Sequence, residues 1–313
     1  MGSVATDATA GAVRAAITGR RRDVAGSVFA LLLAAALVMS LAFLTVLLVD
    51  VGVRGIPVIA ERGVGFFTSG TSTSAARAGI DQALVGSLLL AAIVAVVAFP
   101  LGIGAAVYLE EYARDTRLTR IITANIRNLA GVPSIVYGIL GLVLFVEALG
   151  GVLPMRATGN LLSGGLTLAV LVLPIVIITS AEALRAVPSS IREAAYGVGA
   201  TRWEVIRGHV LPCAAPGVLT GTVLALARAF GETAPLLLVG AVTGFFSTGS
   251  AGGVDRLLGS PYTALPVQIF DWTRAPDPAF QDLAAAGIVA MVVALLAVNG
   301  FAIWLRNRYE RKW

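Results

Sequence analysis

Five stretches of this sequence run without an ionised side chain for long enough to cross a lipid bilayer. They lie between Asp23 and Asp50, Asp81 and Glu110, Arg127 and Glu147, Arg156 and Glu182, and Asp282 and Arg306. They enclose 26, 28, 19, 25 and 23 residues. A helix spans the hydrocarbon core with about 20 predominantly apolar residues, so each stretch reads as one span. Only 13% of the chain is charged and 57% is hydrophobic, against about a quarter charged in ordinary globular domains. Too few charges remain to cover a water-facing surface. A soluble enzyme, a secreted disulfide scaffold and a disordered chain are excluded before any motif is read.

A sixth span needs an argument. Between Arg207 and Asp255 the chain is apolar except for Arg228 and Glu232. Splitting it there gives seven spans and puts the basic tail Arg306–Lys312 on the wrong side for the positive-inside rule. One helix over about Pro216–Ala241, with both charges inside it, is the better reading, since residues 245–254 have loop composition. Six spans then sort the 23 basic residues. Sixteen fall on one side, in four clusters: Arg14–Arg22, Arg114–Arg127, Arg185–Arg207 and Arg306–Lys312. Six fall on the other, and Arg228 stands alone within a span. The expectation is an all-α integral membrane protein with six transmembrane helices and both termini cytoplasmic. The basic charge is an orientation signal, which argues against a nucleic-acid partner.

The expected organisation is a cytoplasmic tail over 1–26, a first span over 27–50 and an extracytoplasmic loop over 51–80. A core of five spans follows over 81–306, with a cytoplasmic loop at 182–212, and then a short tail over 307–313. The first apolar run is longer than a signal-peptide core, so it reads as a retained anchor.

The scarce residue types limit the chemistry. One cysteine (Cys213) allows no intramolecular disulfide and no thiolate zinc cluster, and one histidine (His209) allows no paired-histidine metal motif. The single lysine, Lys312, is followed by Trp313, so no phosphate-binding P-loop exists. No catalytic, cofactor or metal site is expected, and any ATP-derived energy must come from another subunit.

The loop Glu182–His209 is patterned. Ser190-Ile-Arg-Glu193 and Thr201-Arg-Trp-Glu204 each have the Ser/Thr-x-x-Glu spacing of a capping box. Gly197 and Gly199 can end the first helix, and Pro212 is expected to close the second at or before Leu211. Trp203, Val205 and Ile206 give this helix pair an apolar surface. Glu193-Ala194-Ala195-x3-Gly199-x9-His209-x-Leu211-Pro212 resembles the loop of ABC importer permeases that docks a helix into a groove of an ATPase. His209 departs from the aliphatic residue usual there. On the residues alone, Glu193 reads equally well as a helix cap.

Within the fifth span, Arg228 and Glu232 are four residues apart and share a helix face. Gly217, Gly221 and Ala225 form a small-residue seam at four-residue spacing, with Arg228 within about 20° of the two glycines around the helix. Pro235 is expected to kink the helix one turn later. An intramembrane arginine is costly and faces protein or a water-filled cavity. Two readings stand on physics alone: a five-donor site for a crossing anion, moderated by Glu232, or a structural ion pair between helices.

The segment Ala227-Arg228-Ala-Phe-Gly231-Glu232-Thr233-Ala-Pro235-Leu-Leu237 is similar to that of the phosphate permeases within the type I ABC importer family. Leu101–Ala113, Gly131–Gly138 and Leu265–Trp272 agree with it in order, so the resemblance covers about residues 80–305. It implies Arg228, Glu232 and Thr233 on the path of inorganic phosphate through a half-pore in the bacterial cytoplasmic membrane. It also implies a sister permease (PstC), two copies of an ATPase (PstB) and a phosphate-binding receptor (PstS). An importer of another oxyanion such as sulfate or molybdate, and an autonomous channel or secondary carrier, are the alternatives. Glu147, Asn125, Asn128, Cys213 and Tyr137 read as interface, capping or packing residues.

Overall fold

The computed structural model describes residues 24–148, 159–241 and 258–309. The tails expected at 1–26 and 307–313 lie largely outside these residues, as do the loop stretch 245–254, Arg156 and the basic clusters at the two ends. The described chain is helical, with one isolated bridge between Asn160 and Pro261. Among the described residues five helices are long and apolar enough to cross a membrane, and a helix pair bent by 102° brings the number to six when it is counted as one span.

The chain divides into two compact units, residues 1–51 and 52–313. Helix α1 covers Val24–Arg62, and from Val24 to Asp50 every side chain is exposed, apolar ones included. The loop expected over 51–80 is helical in its first half, since α1 continues to Arg62 and α2 (Val64–Thr68) follows. The cause is packing: Gly55 lies so close to the α12 backbone (Pro278–Tyr309) that a β-carbon there would stand 2.7 Å from Ala285.

The core of the second unit is α6 (Leu161–Arg185), held between α3 (Asp81–Val107) and α9 (Leu211–Gly231). Small residues set these contacts. A β-carbon on Gly102 would meet Val176 at 2.6 Å, and one on Gly165 would meet Ile93 at 2.6 Å. The expected seam on the fifth span exists: Gly217 faces Ala183, Gly221 faces Thr179, and Ala225 is fully buried. Around it Leu90, Val94, Leu168, Val172 and Val176 form the central apolar cluster.

Two spans are broken where they were expected to be continuous. The third is α4 (Arg117–Ala130) followed by α5 (Ser134–Gly141), which runs on as a π-helical turn, Leu142–Ala148; the two parts are bent by 102°. Gly131-Val-Pro133 makes the break, because Pro133 has no N–H to continue the helix and restricts the residue before it. The fifth ends at Gly231. Glu232 is extended (φ −80°, ψ 126°), and the short α10 (Ala234–Leu238) follows. Pro235 cannot donate to the carbonyl of Gly231, so the break falls one turn before the proline instead of at it. Downstream, between the fifth and sixth spans, α11 (Leu265–Arg274) is a helix with Leu265, Val267, Ile269 and Trp272 buried.

At the arginine-rich end, α3 passes into a π-helical turn, Tyr108–Tyr112. Three consecutive side chains of this turn each hold one arginine. Glu110 accepts from Arg185 at the end of α6. Glu111 accepts from Arg192 at 2.7 Å and 3.2 Å. Tyr112 lies under Arg202, whose guanidinium carbon is 4.9 Å from the ring centroid. Arg192 also donates to the carbonyls of Leu184 and Val187, at 2.9 and 2.8 Å, and so closes the C-terminus of α6.

The capping boxes divide. Thr201 and Glu204 form theirs in full, starting α8 (Arg202–Val205). Ser190 and Glu193 do not: α7 (Ser189–Gly197) begins one residue early, behind Pro188, and Ser190 is already helical. Pro212 does not end the second helix either. Arg202–Val205, a π-helical turn at Ile206–Val210 and α9 run on without interruption, the π-helical turn lying directly before Leu211-Pro212.

Two stability outcomes follow from this packing. Gly221→Val places a branched side chain where even a β-carbon stands 2.2 Å from Thr179 Oγ1. It should cost about 1–3 kcal/mol or more, whereas Gly104→Ala, in open space within α3, should gain up to about 1 kcal/mol of helix propensity. Thermal unfolding of the purified protein checks both. Arg192→Met strands Glu111, which is 7% exposed, and should cost about 3–5 kcal/mol. The double variant Glu111→Gln/Arg192→Met should melt above Arg192→Met, because no buried charge is then left alone.

Candidate functional site

Arg228 sits in the last turn of α9, where a cation meets the negative end of the helix dipole. Its Nε lies 3.4 Å from Glu232 Oε1 across the helix end. The pair therefore forms as expected, but not on a continuous helix: Glu232 reaches back from the extended residue at the break. The seam runs out before Arg228. Ala225 is sealed against α6, yet the Arg228 side chain is 42% exposed and that of Glu232 is 18%. A long cationic side chain at a helix end extends past the small residues that let the backbones approach.

The wall beside the pair is built by α5. Gly138 lies where a β-carbon would stand 2.7 Å from the Pro235 Cα, so α5 and α10 touch at backbone distance. Tyr137 is buried and donates to the carbonyl of Leu129 at 2.9 Å, tying the start of α5 to the last turn of α4. Thr233 follows at the break, partly buried, its carbonyl accepting from Leu237 N–H. Arg228, Glu232 and Thr233 are thus neighbours at an interrupted helix, with the Arg228 side chain part exposed. Such a site can offer N–H donors to an oxyanion without dismantling a buried pair.

The second region is the loop Ser189–Pro212. Glu193 and Ala194 are exposed and Ala195 is buried. Without the Ser190 box, no cap occupies Glu193. Gly199, at φ +86°, makes the left-handed turn between α7 and α8. Leu211 is partly buried, and Pro212 and His209 are exposed. The apolar surface of the loop differs from the expected one. Val205 and Ile206 are fully buried, and Val205 packs with Leu184, Ala195 and Val210 at the end of the bundle. The outward apolar residues are Tyr196, Val198 and Trp203.

The remaining residues behave plainly. Glu147 is exposed at the end of the π turn after α5, Cys213 is partly buried, and Asn125 bonds its own helix at the Ile121 carbonyl. No group of three or more potential metal ligands occurs among the described residues. Reading the sequence by spans missed the Glu110, Glu111 and Tyr112 partners of the loop arginines. The only available signal was the pairing of a Glu-Glu-Tyr run at one span end with arginines flanking another.

Residues 98–313 match the family described as binding-protein-dependent transport system inner membrane component. A probable ABC transporter permease protein of Bacillus subtilis, YqgI, is 31% identical over 81% of this chain and 86% of its own. The phosphate transport system permease protein PstA of Yersinia pestis is 38% identical over 72% of this chain and 71% of its own. Among solved structures, a subunit of a bacterial alginate ABC transporter superposes with a TM-score of 0.62 at 17% identity, covering 90% of this chain and 94% of that one. The chain belongs to the binding-protein-dependent transport system inner membrane component family, and it is a multi-pass inner-membrane transport subunit with the type I ABC importer permease fold.

Proposed function

We propose that this chain is the permease subunit of an ATP-driven inorganic phosphate importer. It forms half of the translocation pathway and couples to a separate ATPase through residues 190–212. The observation that carries this reading is Arg228, its side chain 42% exposed, at the interrupted end of α9, held by Glu232 and followed by Thr233 at the break. An arginine serving only as internal glue has no reason to keep that much of its donor surface uncovered. The relatives named phosphate transport system permease protein support phosphate as the anion.

In this reading the other half of the pathway is the sister permease PstC. Two copies of the ATPase PstB seat on the loop, and the receptor PstS delivers phosphate from the far side. The exposed Glu193, Ala194, Tyr196, Val198 and Trp203 form the surface offered to the ATPase. Gly199 sets the turn, and Leu211 and Pro212 lead into α9. The arginine-rich end, with both termini, faces the cytoplasm, as the positive-inside rule requires. Closure of the ATPases on ATP would swing the pathway from inward-open to outward-open, with Arg228 offering its remaining donors to a passing phosphate while Glu232 holds its Nε. This subunit itself hydrolyses nothing.

Arg228→Gln should abolish uptake of radiolabelled phosphate while the complex still assembles, since the side chain lies half outside the packed core. Unchanged uptake would make the pair purely structural. Competition by sulfate and molybdate in the same assay checks the anion, with phosphate alone expected to compete strongly. Glu193→Lys reverses the charge at an exposed position in the middle of α7, on the surface offered to the ATPase. It should lower the amount of ATPase that co-purifies with the permease by severalfold.

A further inference from the structure

A cleft of about 610 Å³ opens at the arginine-rich end, between the π turn after α3, α4 and the last turn of α6. Four arginines line it: Arg114, Arg120, Arg127 and Arg185. Two carboxylates, Glu110 and Asp115, line it as well. Glu110 is engaged by Arg185, and Asp115 lies 3.2 Å from Arg120. Arg114 and Arg127 have no carboxylate partner among the described residues. A cleft with two unneutralised guanidiniums concentrates positive potential where low-dielectric walls focus it.

Helix α4 is built for this position. Arg120, Thr123 and Arg127 share one face at a seven-residue interval and line the cleft. Leu118, Ile121, Ile122 and Leu129 cover another face and are all exposed. With α4 bent by 102° from the following span, the helix runs across the end of the bundle while α5 stands along it. An amphipathic helix in that orientation, with arginines on its polar side, lies in the interfacial zone of a membrane.

We propose that this cleft binds a phosphate-group oxyanion between Arg114 and Arg127, with Asn128 beside them. The planar fork of arginine suits the paired oxygens of a phosphate. The group can come from the headgroup of an anionic phospholipid in the adjoining leaflet, for which basic pockets between spans are suited. It can also be free inorganic phosphate on its way off the pathway. The second source rests on the transport reading above. Tyr137, next to the glycine that meets Pro235 of α10, bonds back to the last turn of α4, so the cleft helix is tied to the break that follows Arg228.

The test uses the intact, delipidated transporter complex and the variant Arg114→Gln/Arg127→Gln. Both residues are exposed, so folding should be spared. Native mass spectrometry with added phosphatidylglycerol or phosphatidylcholine reads the lipid source. Equilibrium binding of radiolabelled phosphate, without the receptor and at fixed ionic strength, reads the free anion. Wild-type complex should bind phosphatidylglycerol over phosphatidylcholine, or bind phosphate, and the variant should bind the same anion at least about tenfold more weakly. Binding of neither anion, or equal binding by the variant, overturns the proposal. ATP-driven phosphate uptake by the same wild-type preparation is scored separately. Uptake with no anion held at the cleft defeats the cleft alone, and phosphatidylglycerol held without uptake defeats the transport reading alone.

Discussion

The ion pair between Glu111 and Arg192 is the contact on which the arginine-rich end of this protein is assembled. Glu111 is 7% exposed, so its charge is tolerable only because a guanidinium answers it at hydrogen-bond distance. The same guanidinium closes the carbonyls at the end of α6. One arginine therefore fixes three things at once: the end of α3, the end of α6 and the start of the loop that follows. The neighbouring contacts of Glu110 with Arg185 and Tyr112 with Arg202 extend the grip to both sides. A π-helical turn suits this role, because its extra residue widens the turn and lets three successive side chains point at separate partners.

Much of this architecture was legible in the sequence, for identifiable reasons. Five of the spans follow from the lengths of uncharged intervals, since the hydrocarbon core penalises each charge independently of packing, and the one that carries Arg228 and Glu232 follows from the placement of the basic clusters. The small-residue seam was legible because Gly217, Gly221 and Ala225 can serve helix contact in only one way at that spacing, and Ala183 and Thr179 occupy it. What stayed hidden was continuity. An uncharged interval measures apolar length, and it cannot distinguish a straight helix from one broken at Gly131-Val-Pro133 or at Glu232. The two capping boxes make the same point locally. Both have the spacing, but only Thr201 has non-helical backbone at the cap, while Pro188 starts α7 a residue before Ser190 can act.

The partners of Arg185, Arg192 and Arg202 were out of reach for a different reason. They lie 75 and 81 residues away in the two ion pairs, and nothing in the local pattern encodes a pairing at that distance. Counting basic residues for orientation treated these arginines as a bulk charge. In the folded chain they have separate roles. Arg192 is a strut and Arg185 a clamp, while Arg114 and Arg127 are left uncommitted beside the cleft.

The unexpected continuity of the fifth span has the largest mechanical consequence. From Arg202 to Gly231 the chain is one helical run of 30 residues, about 45 Å long at 1.5 Å per residue. Its first turn carries Trp203 on the outer surface of the loop, and its last turn carries Arg228. Had Pro212 ended the loop helix, as its residue type suggested, a push on the loop would have been absorbed in a joint. An unbroken rod instead transmits it. Val205 and Val210 pack the near end against α6, and Gly217 and Gly221 keep the middle against the same helix, so the rod has one sliding surface along its length. Its compliant point is at the far end, where Glu232 is extended between α9 and the short α10. In the proposed reading, a displacement entering at the loop would be delivered at the break, where Arg228 and Glu232 face each other.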